Sequence, residues 1–162
     1  MQVVHPLAPI FNKDSKVLIL GTMPSPVSRE WAFYYAHPQN RFWPVLAAIF
    51  EEGLPADNEG KKQLALRHGV AIWDVLQRCE IDGASDKSIK NAVSNDLAEV
   101  LSHASIQAIF TTGQTAFKLY EKLCLPQTRI TATALPSTSP ANARCSTEKL
   151  LEAYRMILPY LK

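Results

Sequence analysis

The chain has 162 residues, 47% of them hydrophobic, with 17 basic against 15 acidic side chains for a formal charge of +2. That length fills one well-buried core and falls short of two, so residues 1–162 are expected to form a single domain. No apolar run approaches the roughly 20 residues that cross a bilayer, the N-terminus is not signal-like, and Cys79, Cys124 and Cys145 lack C-x-x-C spacing, which speaks against a spanning helix, a zinc knuckle or an iron–sulfur centre. The expectation is a soluble, cytoplasmic, monomeric protein with no metal, cofactor or membrane attachment, whose slight positive charge permits nucleic-acid binding without predicting it.

In chain order, the continuous apolar run at 16–21, closed by Gly21 and then Pro24, has the character of a strand buried on both faces of a parallel sheet. Phe42, Val45, Leu46, Ile49 and Phe50 follow as one apolar helical stripe. A second strand is expected at 70–73. Leu97, Val100, Leu101 and Ala104 then recur at helical spacing behind Asp96 and Glu99, which stand at capping-box distance. Further strands are expected at 106–110 and 129–135, the latter rich in β-branched residues. Leu150, Tyr154, Ile157 and Leu161 make a closing helical stripe. Alternating strand and helix predicts an α/β fold, a three-layer α/β/α sandwich around a central, mostly parallel four-stranded sheet. Ligands of such sheets bind beyond the C-terminal strand ends, so the segments that follow each strand are where chemistry is sought.

Those segments are Gly21-Thr22-Met23-Pro24-Ser25, then Tyr34-Tyr35-Ala36-His37-Pro38-Gln39-Asn40-Arg41-Phe42-Trp43, then Trp73-Asp74-Val75, and Leu135-Pro136-Ser137-Thr138-Ser139-Pro140-Ala141-Asn142. Each alone has a structural explanation. Gly21 and Pro24 shape a turn, Asn40 caps the helix that follows it, Asp74 caps a turn, and the last stretch is a Pro/Ser loop. No G-x-S-x-G elbow accompanies Ser25 and His37, and neither G-x-G-x-x-G nor a P-loop occurs, so a triad hydrolase and a nucleotide-binding module are disfavoured.

Taken together and in order, these segments resemble the uracil-DNA glycosylase superfamily over nearly the whole chain, most closely its hypoxanthine (deoxyinosine) DNA glycosylase branch. The stretch 36–43 also resembles the mismatch-specific uracil/thymine glycosylases, and 69–76 and 135–140 supply two further motifs. Where other branches carry a water-activating Asp or Asn in the first motif, this chain has Met23, which can do neither job. The family pattern of the hypoxanthine branch implies that Asn40 takes over. A base-polarising His is replaced by Leu135.

The resemblance implies a metal-free DNA glycosylase that flips a deaminated base out of DNA and hydrolyses its bond to the sugar. Backbone N–H groups of Gly21, Thr22, Met23 and Ser25 would meet the base carbonyl, and Asn40 would orient water. Tyr34 or Tyr35 would stack on the base, and Asp74, an acceptor only, would favour bases that present a ring N–H. Phosphates would meet Ser25, Ser137, Thr138, Ser139, Asn142 and Arg144, with His37 either in a structural hydrogen bond or on phosphate or water. The alternatives are a mismatch-directed uracil/thymine glycosylase and a DNA-binding relative that has lost catalysis.

Overall fold

The structure is a computed structural model that describes residues 1–83 and 85–162. Its frame is a sheet in the order β3-β2-β6-β7, formed by β2 (Val17–Gly21), β3 (Val70–Asp74), β6 (Ala108–Thr112) and β7 (Ala132–Leu135). All three pairings are parallel, with Val17 opposite both Val70 and Ala108 and Ile109 opposite Ala132. The expected "mostly parallel" arrangement is fully parallel among these strands. A single antiparallel bridge, Ile10 to Ile72, lies along the outer edge of β3.

Every residue of β2 and β3 is buried, which is why both read as unbroken apolar runs: layers cover the sheet on both faces. Burying one such Val, Leu or Ile contributes about 1.5–3 kcal/mol, so the β2–β3 pair is a main part of the core. The first crossover carries α1 (Pro26–Trp31), α2 (Phe42–Ile49) and α3 (Asn58–Arg67), and α3 packs on β3. The crossover from β6 to β7 carries α5 (Gln114–Leu119), a π-helical turn (Tyr120–Cys124) and α6 (Leu125–Thr128). Last come α7 (Thr147–Tyr154), packed on α2, and a 3-10 segment (Arg155–Leu161) against β2 and β6.

Three expectations shift. The strand expected at 129–135 begins at Ala132, because Arg129 ends α6 in the left-handed conformation (φ 59°) with its N–H on the Leu125 carbonyl at 2.8 Å. The strand expected at 106–110 runs two residues later, as Ala108–Thr112. The helix behind Asp96 is the single turn α4 (Ala98–Leu101), where Asp96 Oδ1 accepts from the Ala98 N–H at 3.1 Å.

A second, antiparallel sheet in the order β1-β4-β5 was not anticipated: β1 (Gln2–Val4), β4 (Leu76–Glu80) and β5 (Lys90–Ser94). Only Val75 separates β3 from β4, and Asn95 braces that corner by donating Nδ2 to the carbonyls of Asp74 (2.9 Å) and Leu76 (3.1 Å). No helix among the described residues is long and apolar enough to cross a membrane.

Candidate active site

At the C-terminal edge of the main sheet, Gly21 and Asp74 stand side by side as the last register pair of β2 and β3. Asp74 is 3% exposed, and its carboxylate leans over Gly21: a Cβ built there would lie 2.4 Å from Asp74 Oδ1 and 3.1 Å from the Tyr35 hydroxyl. Only glycine leaves room for both groups. The Tyr35 hydroxyl also meets Thr112 Oγ1 at the end of β6, at 3.4 Å. Burial first, and the Asp74 carboxylate second, push the Tyr35 phenol well above its ordinary range, so it stays a neutral hydroxyl. Tyr35 itself takes a left-handed backbone (φ 53°), which turns its ring onto Phe42 with centroids 3.9 Å apart.

The other Asp74 oxygen is taken. Oδ2 lies 2.7 Å from His5 Nε2, and the two side chains are 5% and 2% exposed. Among the described residues, nothing donates to Oδ1. Directly after β2 the Thr22 carbonyl still accepts from the Leu76 N–H at 3.1 Å, while no acceptor among the described residues takes the N–H of Thr22 or Met23. Met23 is half-buried against the core. Ser25 is spent locally: its Oγ accepts from the Ser28 N–H at 3.2 Å as the N-cap of α1.

The stretch 36–43 is docked on this edge through aromatics. Trp43 donates Nε1 to the Tyr34 carbonyl at 2.9 Å, and Phe42 meets Trp43 edge-on. Asn40 Oδ1 accepts from the Phe42 N–H at 2.9 Å, which pins the amide and leaves its second lone pair. His37, half-buried, accepts the Gln39 N–H on Nδ1 at 3.0 Å, and its Nε2 has no partner among the described residues. Tyr34 departs from expectation: it is 4% exposed with its hydroxyl donated to the Ala8 carbonyl at 2.8 Å, a core side chain with no open face, so Tyr35 is the tyrosine that remains at the site.

The loop after β7 is self-bonded. Ser139 donates its N–H to Ser137 Oγ, Ser139 Oγ accepts from Ala141, and Asn142 Nδ2 donates to the Ser137 carbonyl. Thr138 is buried, and its carbonyl accepts the Arg41 N–H at 3.1 Å. Arg41 also donates Nη1 to the Cys145 carbonyl at 2.7 Å and Nη2 to that of Asn142 at 3.2 Å. Arg144 is exposed. Sequence reasoning missed His5 and Arg41. His5 lies 69 residues from its partner, before any periodic segment, and carries no spacing signal. Arg41 sits inside the quoted motif, and its adjacency to Asn40 was the available hint.

These strand-end motifs, in this order on a parallel sheet, match a known family model: residues 8–162 fit that of the uracil DNA glycosylase superfamily. The chain belongs to that superfamily. Membership carries the reaction class, hydrolysis of a base–sugar bond in DNA. The chain is 34% identical over 91 residues to a protein named hypoxanthine DNA glycosylase from Methanosarcina barkeri, a match spanning 56% of this chain and 58% of that relative. It is 30% identical over 139 residues to one of the same name from Methanosarcina acetivorans, covering 85% and 87%. A solution NMR structure of a candidate uracil DNA glycosylase from Methanosarcina acetivorans superposes with a TM-score of 0.84 at 25% identity, over 99% of both chains. In this superfamily member, then, the strand edge holds an acceptor-only carboxylate, a neutral phenol, unpaired backbone N–H groups and a pinned amide. Among the described residues no cluster of three His, Cys, Asp or Glu could hold a metal ion.

Proposed function

We propose that this glycosylase excises deaminated bases from DNA, hypoxanthine foremost, by turning the nucleotide out of the helix and leaving an abasic site. The observation that carries the reading is Asp74, whose Oδ2 is engaged by His5 and whose Oδ1 is left facing Gly21 as a free acceptor. A carboxylate accepts from hypoxanthine N1–H and is mismatched to adenine N1, itself an acceptor. Two relatives named hypoxanthine DNA glycosylase support the same choice. Uracil, through N3–H, offers the same donor and is the second substrate.

As the C1′–N bond breaks, positive charge grows on the sugar and negative charge on the base. The Thr22 and Met23 N–H groups stabilise the base's carbonyl oxygen, the Tyr35 ring stacks on the base, and Asn40 orients the attacking water by accepting from it. Water adds its hydroxyl to C1′ and the departing base takes up the proton. Ser137, Ser139, Asn142, Arg144 and His37 meet the phosphates. The test is a panel of labelled oligonucleotides carrying hypoxanthine, uracil, xanthine or mismatched thymine, followed by alkaline cleavage of abasic sites. Fastest cleavage at hypoxanthine is expected. Tight binding with no cleavage of any lesion would identify a non-catalytic DNA-binding relative instead.

A further inference from the structure

His5 is delivered to the site by its own small framework. The preceding strand pairs Val4 with Arg78, and the His5 N–H donates to the Gln77 carbonyl at 2.6 Å. Beyond it, Ile10 is bridged to Ile72 of β3. On the ring, Nδ1 accepts from the Leu7 N–H at 3.2 Å, and a ring nitrogen that accepts carries no proton. The neutral imidazole therefore holds its proton on Nε2, 2.7 Å from Asp74 Oδ2. The Tyr34 ring, 6.0 Å away between centroids, closes a further side.

We propose that His5 is a positioning residue for base recognition: its Nε2–H fixes the Asp74 carboxylate so that Oδ1 faces the base as a charged acceptor. This rests on the reading of Asp74 as the base-binding group. Without the Nε2–H nothing among the described residues ties Oδ2 in place, and the carboxylate can rotate so that Oδ1 no longer stands over Gly21. The titratable groups that face Asp74 are His5 from the N-terminal segment and Tyr34 and Tyr35 from the segment after α1, both phenols held neutral mainly by burial.

The experiment measures single-turnover excision of hypoxanthine for the parent, His5→Leu, His5→Gln, Asp74→Asn and the double variant His5→Leu/Asp74→Asn, with affinity for an abasic duplex as the control. Excision by His5→Leu is expected to fall about tenfold, the scale of one charge-assisted hydrogen bond. His5→Gln, which keeps an N–H donor, should restore most of the rate. In the Asp74→Asn background, His5→Leu should cost nothing more, and abasic-duplex affinity should stay at the parental value throughout. Should His5→Leu not fold, His5→Phe fills the space without a donor and takes its place. Parental excision by folded His5→Leu, with Asp74→Asn impaired, overturns the role of His5 alone. Parental excision by Asp74→Asn overturns the base-reading assignment and this proposal with it. A loss in His5→Leu that His5→Gln does not restore and that abasic binding shares makes His5 a packing residue.

Discussion

Arg41 and Cys145, 104 residues apart, are joined by a 2.7 Å hydrogen bond from Nη1 to the main-chain carbonyl. With the Arg41 N–H on Thr138 and Nη2 on Asn142, one residue before α2 grips the loop after β7 at three points. The loop's own hydrogen bonds shape it, and Arg41 sets where it lies.

Arg41→Met should therefore loosen residues 136–145 without dismantling the sheet. Hydrogen bonds from a charged donor contribute on the order of 1.5–3 kcal/mol each, and water replaces part of that in an exposed loop, so a net loss of about 2 kcal/mol is expected. Thermal unfolding reads the stability, and limited proteolysis should show new cleavage within 136–145. Arg41→Lys should behave like Met, because one ammonium cannot span carbonyls that a guanidinium fork reaches together.

Asn40→Ala removes both the bond that steadies the Phe42 N–H ahead of α2, whose N-cap is Arg41, and the group assigned to water. That bond is worth about 1 kcal/mol. Turnover should drop by a factor on the order of 10²–10⁴ while lesion-DNA affinity changes little, since orientation counts in the transition state. Single-turnover rates alongside binding isotherms check this, and a folded variant excising at the parental rate would reduce Asn40 to that structural bond.

Gly21→Ala sets a methyl 2.4 Å from Asp74 Oδ1, closer than any real contact, and the carboxylate cannot swing freely because His5 holds it. We expect a folded protein, destabilised by about 1–3 kcal/mol, with excision reduced at least about a hundredfold. Melting temperature and excision rate, measured together, separate the two effects.

The alkaline limit of stability should be set by buried phenols. Tyr34, Tyr35 and Tyr154 all have pKa values raised by burial, so the unfolded chain loses these protons first, near pH 10. Their contribution is intact below about pH 10 and is lost as pH climbs above it, by about 1.4 kcal/mol per unit for each fully buried phenol. Urea midpoints that begin to fall near pH 9, where the unfolded chain's Cys79 and Cys124 thiols ionise ahead of the buried ones, and fall more steeply above pH 10 are the expected result.

β2 and β3 were legible because a strand buried on both faces writes an unbroken apolar run, as at Val17–Gly21 and Val70–Asp74, whereas β7, with only Leu135 buried, was found through its β-branched residues and its start was misplaced. β1 and β5 were not: β1 has three residues with only Val3 buried, β5 has no fully buried residue, and neither sequence alternates apolar and polar side chains as a half-buried strand does. Asp74 could be found, since an acid closing a buried run is conspicuous. The pair of neighbouring tyrosines could not be divided from sequence, because only the left-handed backbone at Tyr35 sends its ring to Phe42 while Tyr34 turns inward to Ala8. Asn40 illustrates a different limit, for its bond to the Phe42 N–H and its assigned catalytic use draw on the same amide oxygen.

The separation between His5 and Asp74 has a consequence for biogenesis. A ribosome adds His5 to the chain 69 residues ahead of Asp74, and the β4 strand that will hold β1 follows later still. Throughout that interval the first strand has no edge to pair with, and contacts this distant in sequence form late and slowly. The β2–β3 pair cannot close until Asp74 itself has been made, and β6 and β7 follow it, so an emerging polypeptide carries both His5 and Asp74 before the layers that bury them exist.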